Sequence, residues 1–191
     1  MGTTEAIDAD AVSAVMLPAV VTLQPLDPAR LPLFARLWQF YLYEASGRDA
    51  LELDADGRFD WDEALFTGIA HGDGGEHDAD AWLIECDGQV AGLLVTMQVQ
   101  LAGAPIREFA DLYVLPRFRG RGVASAVIQQ VIIEGDLDAW LVAVFRNDPD
   151  ALAFWQRTFV RLPFAAWRDV EPSELPDFHI FVVGTAASRP R

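Results

Sequence analysis

The sequence predicts an α/β domain built on a mixed, mostly antiparallel sheet flanked by helices, with one parallel crossover. Three observations lead there. Apolar runs of strand length alternate with stretches of 3.6-residue apolar spacing. Three of those runs follow one another across short turns at Asp87-Gly88 and Gly103-Ala104-Pro105, the pattern of an antiparallel meander. The third run, ending at Val114, passes through a basic glycine-bearing turn into a helix before the next strand, Ala139 to Phe145. A helix between two strands of one sheet implies parallel pairing.

Taken in order, Ala19 to Gln24 reads as the first strand. Asp27-Pro28 marks a helix start with Asp27 as N-cap. That helix carries Leu33, Phe34, Leu37, Trp38, Tyr41 and Leu42 as an apolar stripe and ends near Ser46-Gly47. An acidic loop, Leu51 to Phe59, turns at Asp56-Gly57. A short helix spans Trp61 to Ile69 with Asp60 as its cap. His71 to Asp78 is a glycine-rich loop. Its two histidines match no familiar metal spacing, so no metal is expected. Strands follow at Ala81 to Cys86, Gln89 to Gln100 and Ile106 to Val114. The helix after the basic turn places Val123, Val127, Ile128 and Val131 on one face and ends near Gly135. Asp148-Pro149 caps a further helix, Asp150 to about Thr158, and closing strands are expected at Arg161 to Trp167 and His179 to Gly184, linked by Glu171 to Asp177.

The chain of 191 residues is long enough to bury a real core in one domain. Residues 18–186 are read as that domain, between a disordered N-terminal tail at 1–17 and a short tail at 187–191. No apolar run approaches the roughly 18 residues of a membrane span. The acidic, small-residue start from Met1 to Asp10 does not resemble a secretory signal. The single cysteine, Cys86, excludes an internal disulfide framework and fits a reducing cytoplasm, with a buried structural thiol expected in its strand. The formal charge of −15 argues against nucleic acid and anionic membrane as partners. It would favour a cationic substrate such as an amine, although it also serves plain solubility.

The richest stretch is Leu112 to Ile128. A helix N-terminus presents unpaired N–H groups and partial positive charge. Gly120 and Gly122 remove side-chain bulk from that backbone, and Arg117, Arg119 and Arg121 add formal charge, which together suit a phosphate or pyrophosphate. The chain has no lysine, so the phosphate-loop pattern of nucleotide triphosphatases is absent. Ser125 stands where a dinucleotide fold needs its third glycine. The order Arg119-Gly-Arg-Gly122-Val-Ala124, after a strand ending Val114-Leu-Pro116, resembles the acetyl-CoA signature Arg/Gln-x-x-Gly-x-Gly/Ala of the GNAT N-acetyltransferase superfamily. The predicted element order is similar to that fold from about residue 20 to 184. The segments Gln39 to Glu44, Asp56 to Phe59 and Ala151 to Trp155 further resemble bacterial predicted acetyltransferases of unassigned substrate.

The resemblance implies a cofactor site and offers candidates for the chemistry. The backbone of Gly120, Arg121, Gly122, Val123, Ala124 and Ser125, with Arg117 and Arg119, would hold the pyrophosphate. Strand amides of Leu112, Tyr113 and Val114 would lie against the pantetheine. A second family signature is matched by Asn147-Asp-Pro-Asp-Ala151-Leu-Ala-Phe154-Trp155, with one extra residue after the asparagine. It implies Asn147 on the pantetheine side, with Phe154 and Trp155 lining the cofactor. Trp155 replaces a tyrosine that often protonates the departing thiolate, a role indole cannot fill. Glu108 and Asp111 are candidate bases for the amine, and Tyr113 a candidate acid. Strand alternation puts Glu108, Ala110 and Leu112 on one face and Phe109, Asp111 and Tyr113 on the other, unless a bulge shifts the register. Tyr43 and Glu44, at the end of the first helix, are candidate acceptor-binding residues. The reading is a cytoplasmic bacterial acyltransferase moving acetyl from acetyl-CoA to a primary amine of a small molecule or protein, without a metal and with a homodimer left open. The alternative is a catalytically inactive acetyl-CoA or CoA sensor, or a partner-binding module.

Overall fold

Left-handed turns too tight for most residues join the central strands. Asp87 and Gly88 (φ +52° and +73°) join β2 (Asp80–Cys86) to β3 (Gln89–Leu101). Ala102 and Gly103 (φ +50° and +77°) join β3 to β4 (Ala104–Val114). Two consecutive positive φ values match the strand twist of a two-residue hairpin. This second turn lies one residue earlier than expected, and Pro105 sits inside β4, near its start, where strands tolerate proline best. The computed structural model describes residues 19–164, 166–170 and 176–184. Both expected tails, and most of the expected link from Glu171, lie outside those residues.

Seven strands form one sheet in the order β1-β2-β3-β4-β5-β7-β6. β1 (Val21–Pro25), β2, β3 and β4 pair antiparallel in succession. β4 and β5 (Ala139–Phe145) are parallel, and β7 (Phe178–Gly184) pairs antiparallel with both β5 and β6 (Ala166–Val170). The mixed, mostly antiparallel sheet with one parallel pair is the architecture the sequence predicts. Helices cover both faces. α1 (Leu31–Ala45) and α2 (Glu63–Ala70) bury Phe34, Leu37, Phe66 and Ile69 against Leu83, Leu93 and Val95. On the other face α3 (Val123–Ile128) and α4 (Pro149–Arg161) bury Val127, Ile128, Trp155 and Phe159 against Leu94, Phe109, Val142 and Phe181.

Several boundaries differ from expectation for local reasons. Asp27 does accept the Arg30 amide (2.9 Å), but a turn at residues 28–30 precedes the regular helix. α2 is capped by Asp62, not Asp60, because its Oδ1 reaches the Leu65 amide three residues on (2.8 Å). The expected stripe through Val131 gives way to Ile132, fully buried, because residues Gln129–Ile133 form a π turn that rotates the face. α4 runs past Thr158 to Arg161, since the Thr158 hydroxyl donates back to the Phe154 carbonyl (2.9 Å) and needs no helix end. β6 therefore starts at Ala166, not Arg161, and as an edge strand it is mostly exposed and carries little apolar pattern.

At Gly92 the backbones of β3 and β4 leave no room for a side chain. A Cβ there would lie 2.0 Å from the Tyr113 carbonyl oxygen. Gly92→Ala should destabilise the fold by ~1–3 kcal/mol through overpacking. A lower urea midpoint is the expected result, and an unchanged midpoint would show that β3 and β4 are not so closely apposed.

Candidate active-site cleft between β4 and β5

The parallel ladder between β4 and β5 is short, pairing Arg107 with Trp140 and Glu108 with Leu141. Beyond Glu108 the strands part. A cleft of about 1150 Å³ opens there, with Glu108 to Val114 on one lip and Ala143 to Phe145 on the other. Phe118, Arg119, Gly120 and Gly122 to Ser125 close one end, and Asn147 to Ala151, Phe154 and Trp155 extend the β5 side.

β4 carries a bulge where it matters. Thr96 pairs with Phe109 and Val95 with Asp111, so Ala110 is the extra residue. The simple alternation is thereby corrected. Phe109, Leu112 and Val114 pack on the α3–α4 face, while Tyr113 joins the α1–α2 cluster and Asp111 meets Tyr41 of α1. With Ala110 as the extra residue, Glu108, Asp111 and Tyr113 alternate onto the same side of the strand, so the bulge gathers all three candidate catalytic residues there.

Burial sets their protonation. Glu108 is pushed up from 4.5 to about 7, mainly by burial and secondarily by the Asp111 charge. Burial also raises the Asp111 carboxyl, against the hydrogen bond donated by the Tyr41 hydroxyl (2.7 Å). The Tyr41 phenol is in turn raised far above its ordinary value by burial and by Asp111. Tyr113 is pushed up to about 12 by burial and by the bond it donates to Glu44 Oε1 (2.9 Å).

The basic turn divides its arginines. Gly120 and Gly122 hold φ of +72° and +82°, and a Cβ on either would meet no protein atom within 4 Å. The glycines answer to the left-handed backbone and the open cleft, not to crowding. Gly122 is the N-cap of α3 and its carbonyl accepts the Ala126 amide (2.9 Å), so the amides of Val123, Ala124 and Ser125 precede the first helical bond. Arg119 lines the cleft. Its Nε donates to the Val114 carbonyl (2.7 Å) and its Nη2 to Glu44 Oε2 (2.7 Å). Arg117 and Arg121 do not line it. Both guanidinium groups lie over the Phe118 ring, at 5.4 and 5.6 Å, and Arg121 also pairs with Asp87 (3.1 Å).

On α1 the expected pair separates. Glu44 lines the cleft, whereas Tyr43 is 69% exposed and does not. Tyr41, Glu44 and Ala45 of α1 line the cleft instead, with Arg48 in the turn that follows the helix. Their i, i+3, i+4, i+7 spacing was the signal that could have found them. Arg48 reaches across to Asp148 (3.1 Å), which also caps α4 through the Ala151 amide (2.9 Å). Asn147 donates to Asp49 Oδ1 (3.0 Å). Trp155 is 7% exposed and meets Phe109 edge-on at 5.6 Å, so its indole is chiefly core.

A sequence profile described as the acetyltransferase (GNAT) family matches residues 34–159. The chain belongs to the GNAT acetyltransferase family. Solved structures agree on the fold. An acetyltransferase from Thermus thermophilus aligns with TM-score 0.61 and 18% identity, over 87% of this chain and 98% of that one. A GNAT-family acetyltransferase from Staphylococcus aureus gives 0.56 and 12%, over 86% and 99%. Arabidopsis thaliana NAA60, in complex with a bisubstrate analogue, gives 0.53 and 14%, over 88% and 100%. No curated protein sequence matches the chain. Among the described residues no His, Cys, Asp and Glu group is placed to hold a metal ion, and no helix is long and apolar enough to cross a membrane.

The raised Glu108 carboxyl has a stability consequence for this GNAT domain. Between pH 4.5 and 7 the folded state holds a proton on Glu108 that the unfolded chain has released, so stability falls as pH rises through that window. Glu108→Gln should therefore gain stability relative to wild type from pH 4.5 to 7 and hold that gain above 7. Urea midpoints at four pH values check it. A pH-independent difference would mean that Glu108 is not raised.

Proposed function

We propose that the protein transfers the acetyl group of acetyl-CoA to a primary amine by direct attack. The observation that carries this reading is the parted β4–β5 cleft, with an amide-rich turn at one end and a carboxylate poised near neutrality on its lip. Family membership supports acetyl transfer, and a further NAA60 structure, with TM-score 0.50, holds acetyl-CoA. When bound, acetyl-CoA supplies an activated thioester and a thiolate leaving group.

The chain's own groups divide the remaining work. The amides of Gly120 to Ser125 bind the diphosphate. The β4 segment Leu112 to Val114 lies along the acyl arm, and an amide near Val114 donates to the carbonyl oxygen as negative charge develops there. Glu108, with a pKa of about 7, accepts the proton of the incoming ammonium. Asp111, held by the Tyr41 hydroxyl, lines the same wall of the cleft. Tyr113 is the nearest phenol on the strand, but its proton is committed to Glu44 and its pKa of about 12 makes it a poor acid. A thiolate with an ordinary pKa near 8.5 departs without such help, which is consistent with tryptophan at position 155.

That tryptophan also motivates a second reading, a CoA sensor that binds without turnover. Thermal shift with acetyl-CoA, CoA and NAD side by side tests the site. Selective stabilisation by the CoA ligands is expected, and its loss in Gly122→Trp, because only native-state binding raises the melting temperature. No shift with wild type would defeat both readings. Stabilisation without transfer to any of a broad amine panel would favour the sensor. With an accepted amine, kcat/KM should rise with pH to a plateau above about 7, and Glu108→Gln should lose that limb and most of the rate, commonly 10²-fold or more.

A further inference from the structure

Glu44 sits where three elements meet: the end of α1, the end of β4 and the basic turn. One carboxylate oxygen accepts the Tyr113 hydroxyl at 2.9 Å and the other accepts Arg119 Nη2 at 2.7 Å. The same guanidinium donates through Nε to the Val114 carbonyl at 2.7 Å and lies 5.6 Å over the Tyr113 ring. Arg119 is thus held along one edge, through Nε and Nη2, and its charge is met by a carboxylate. The ion pair is partly exposed, at 47% and 36% for the two side chains, so its contribution to overall stability is small. Its effect is directional: it fixes the β4 terminus relative to the turn whose amides follow.

We propose that Glu44 is a positioning residue that binds Arg119 to the end of β4, leaving the diphosphate of acetyl-CoA to the backbone amides of the turn. This rests on the acetyl-CoA reading above. It departs from the signature's expectation that Arg119 holds the phosphates, and from the expectation that Glu44 binds the acceptor. The two assignments predict opposite signs. If Arg119 is a phosphate ligand, Glu44 competes for it, and Glu44→Gln should tighten acetyl-CoA binding. If Glu44 positions, the same variant releases the turn and weakens binding.

Calorimetric titration of acetyl-CoA into wild type, Glu44→Gln, Arg119→Gln and the double variant separates them. The expected result is a loss of about tenfold in affinity for Glu44→Gln, with the double variant no worse than the worse single, as for two groups acting as one unit. Unchanged or tighter binding by Glu44→Gln, or additive losses, overturns the proposal. Should Glu44→Gln fail to fold, the salt dependence of Arg119→Gln decides. A slope equal to wild type supports the brace, and a shallower slope marks a lost phosphate contact. Ultraviolet titration of the three tyrosines needs no ligand. In Glu44→Gln the Tyr113 transition should move to lower pH, because a hydrogen-bonded anion is removed while Arg119 remains. An unmoved transition counts against the brace even if wild type fails to bind acetyl-CoA, a failure that would itself strike only at the functional reading.

Discussion

Strand β4 has two neighbours that make different demands of it. On one side it pairs with β3 along its whole length, to Val114 opposite Gly92. On the other it pairs with β5 only at Arg107 and Glu108. The extra residue, Ala110, follows closely on the last parallel pair. A bulge at that point bends the strand and increases its twist, so the end of β4 stays with β3 and leaves β5. Every element of the site follows from this departure. It opens the cleft, it turns Asp111 and Tyr113 toward α1, and it delivers the chain at Leu115 to the Ala91 carbonyl (2.8 Å), from which the basic turn departs.

The parted strands leave two lips that the sheet no longer holds together, and the end of α1 with the turn after it ties both. Glu44 reaches the β4 lip through Tyr113 and Arg119. One turn further on, Arg48 and Asp49 reach Asp148 and Asn147 on the β5 lip. These are local charge pairings in a chain whose net charge is −15. The global excess of carboxylates says little about the site, because the cleft owes its character to which few of them are buried or paired. Burial raises the Glu108 and Asp111 carboxyls, while Glu44 and Asp148 meet arginines.

The mixed-sheet fold class and the basic glycine turn were readable because they rest on local rules. Asp-Gly and glycine turns, period-2 runs and a strand–turn–helix junction each act within about a dozen residues. The side chains around the cleft depend on register across the sheet, which no local rule supplies. Ala110 has no mark of a bulge residue, and without the bulge Phe109 would share a face with Asp111. Tyr43 and Glu44 look alike as helix-end residues, yet helical spacing from Leu37 through Tyr41 selects Glu44 and turns Tyr43 outward. Arg117, Arg119 and Arg121 are equally basic in sequence. Only the buried Phe118 ring and the distant Asp87 and Glu44 separate their roles. β6 escaped because an exposed edge strand carries no apolar alternation to detect.

The two lips are far apart along the chain. Asn147 lies 98 residues after Asp49, the partner it holds across the cleft. The turn from Gly120 to Ser125 precedes β5 in the chain, so synthesis supplies one end of the cleft before its second wall. Long-range closure of this kind raises contact order and comes late in folding. The cleft is therefore a property of the whole domain: its β5 wall and the Asp148 end of α4 come from sequence well beyond the turn.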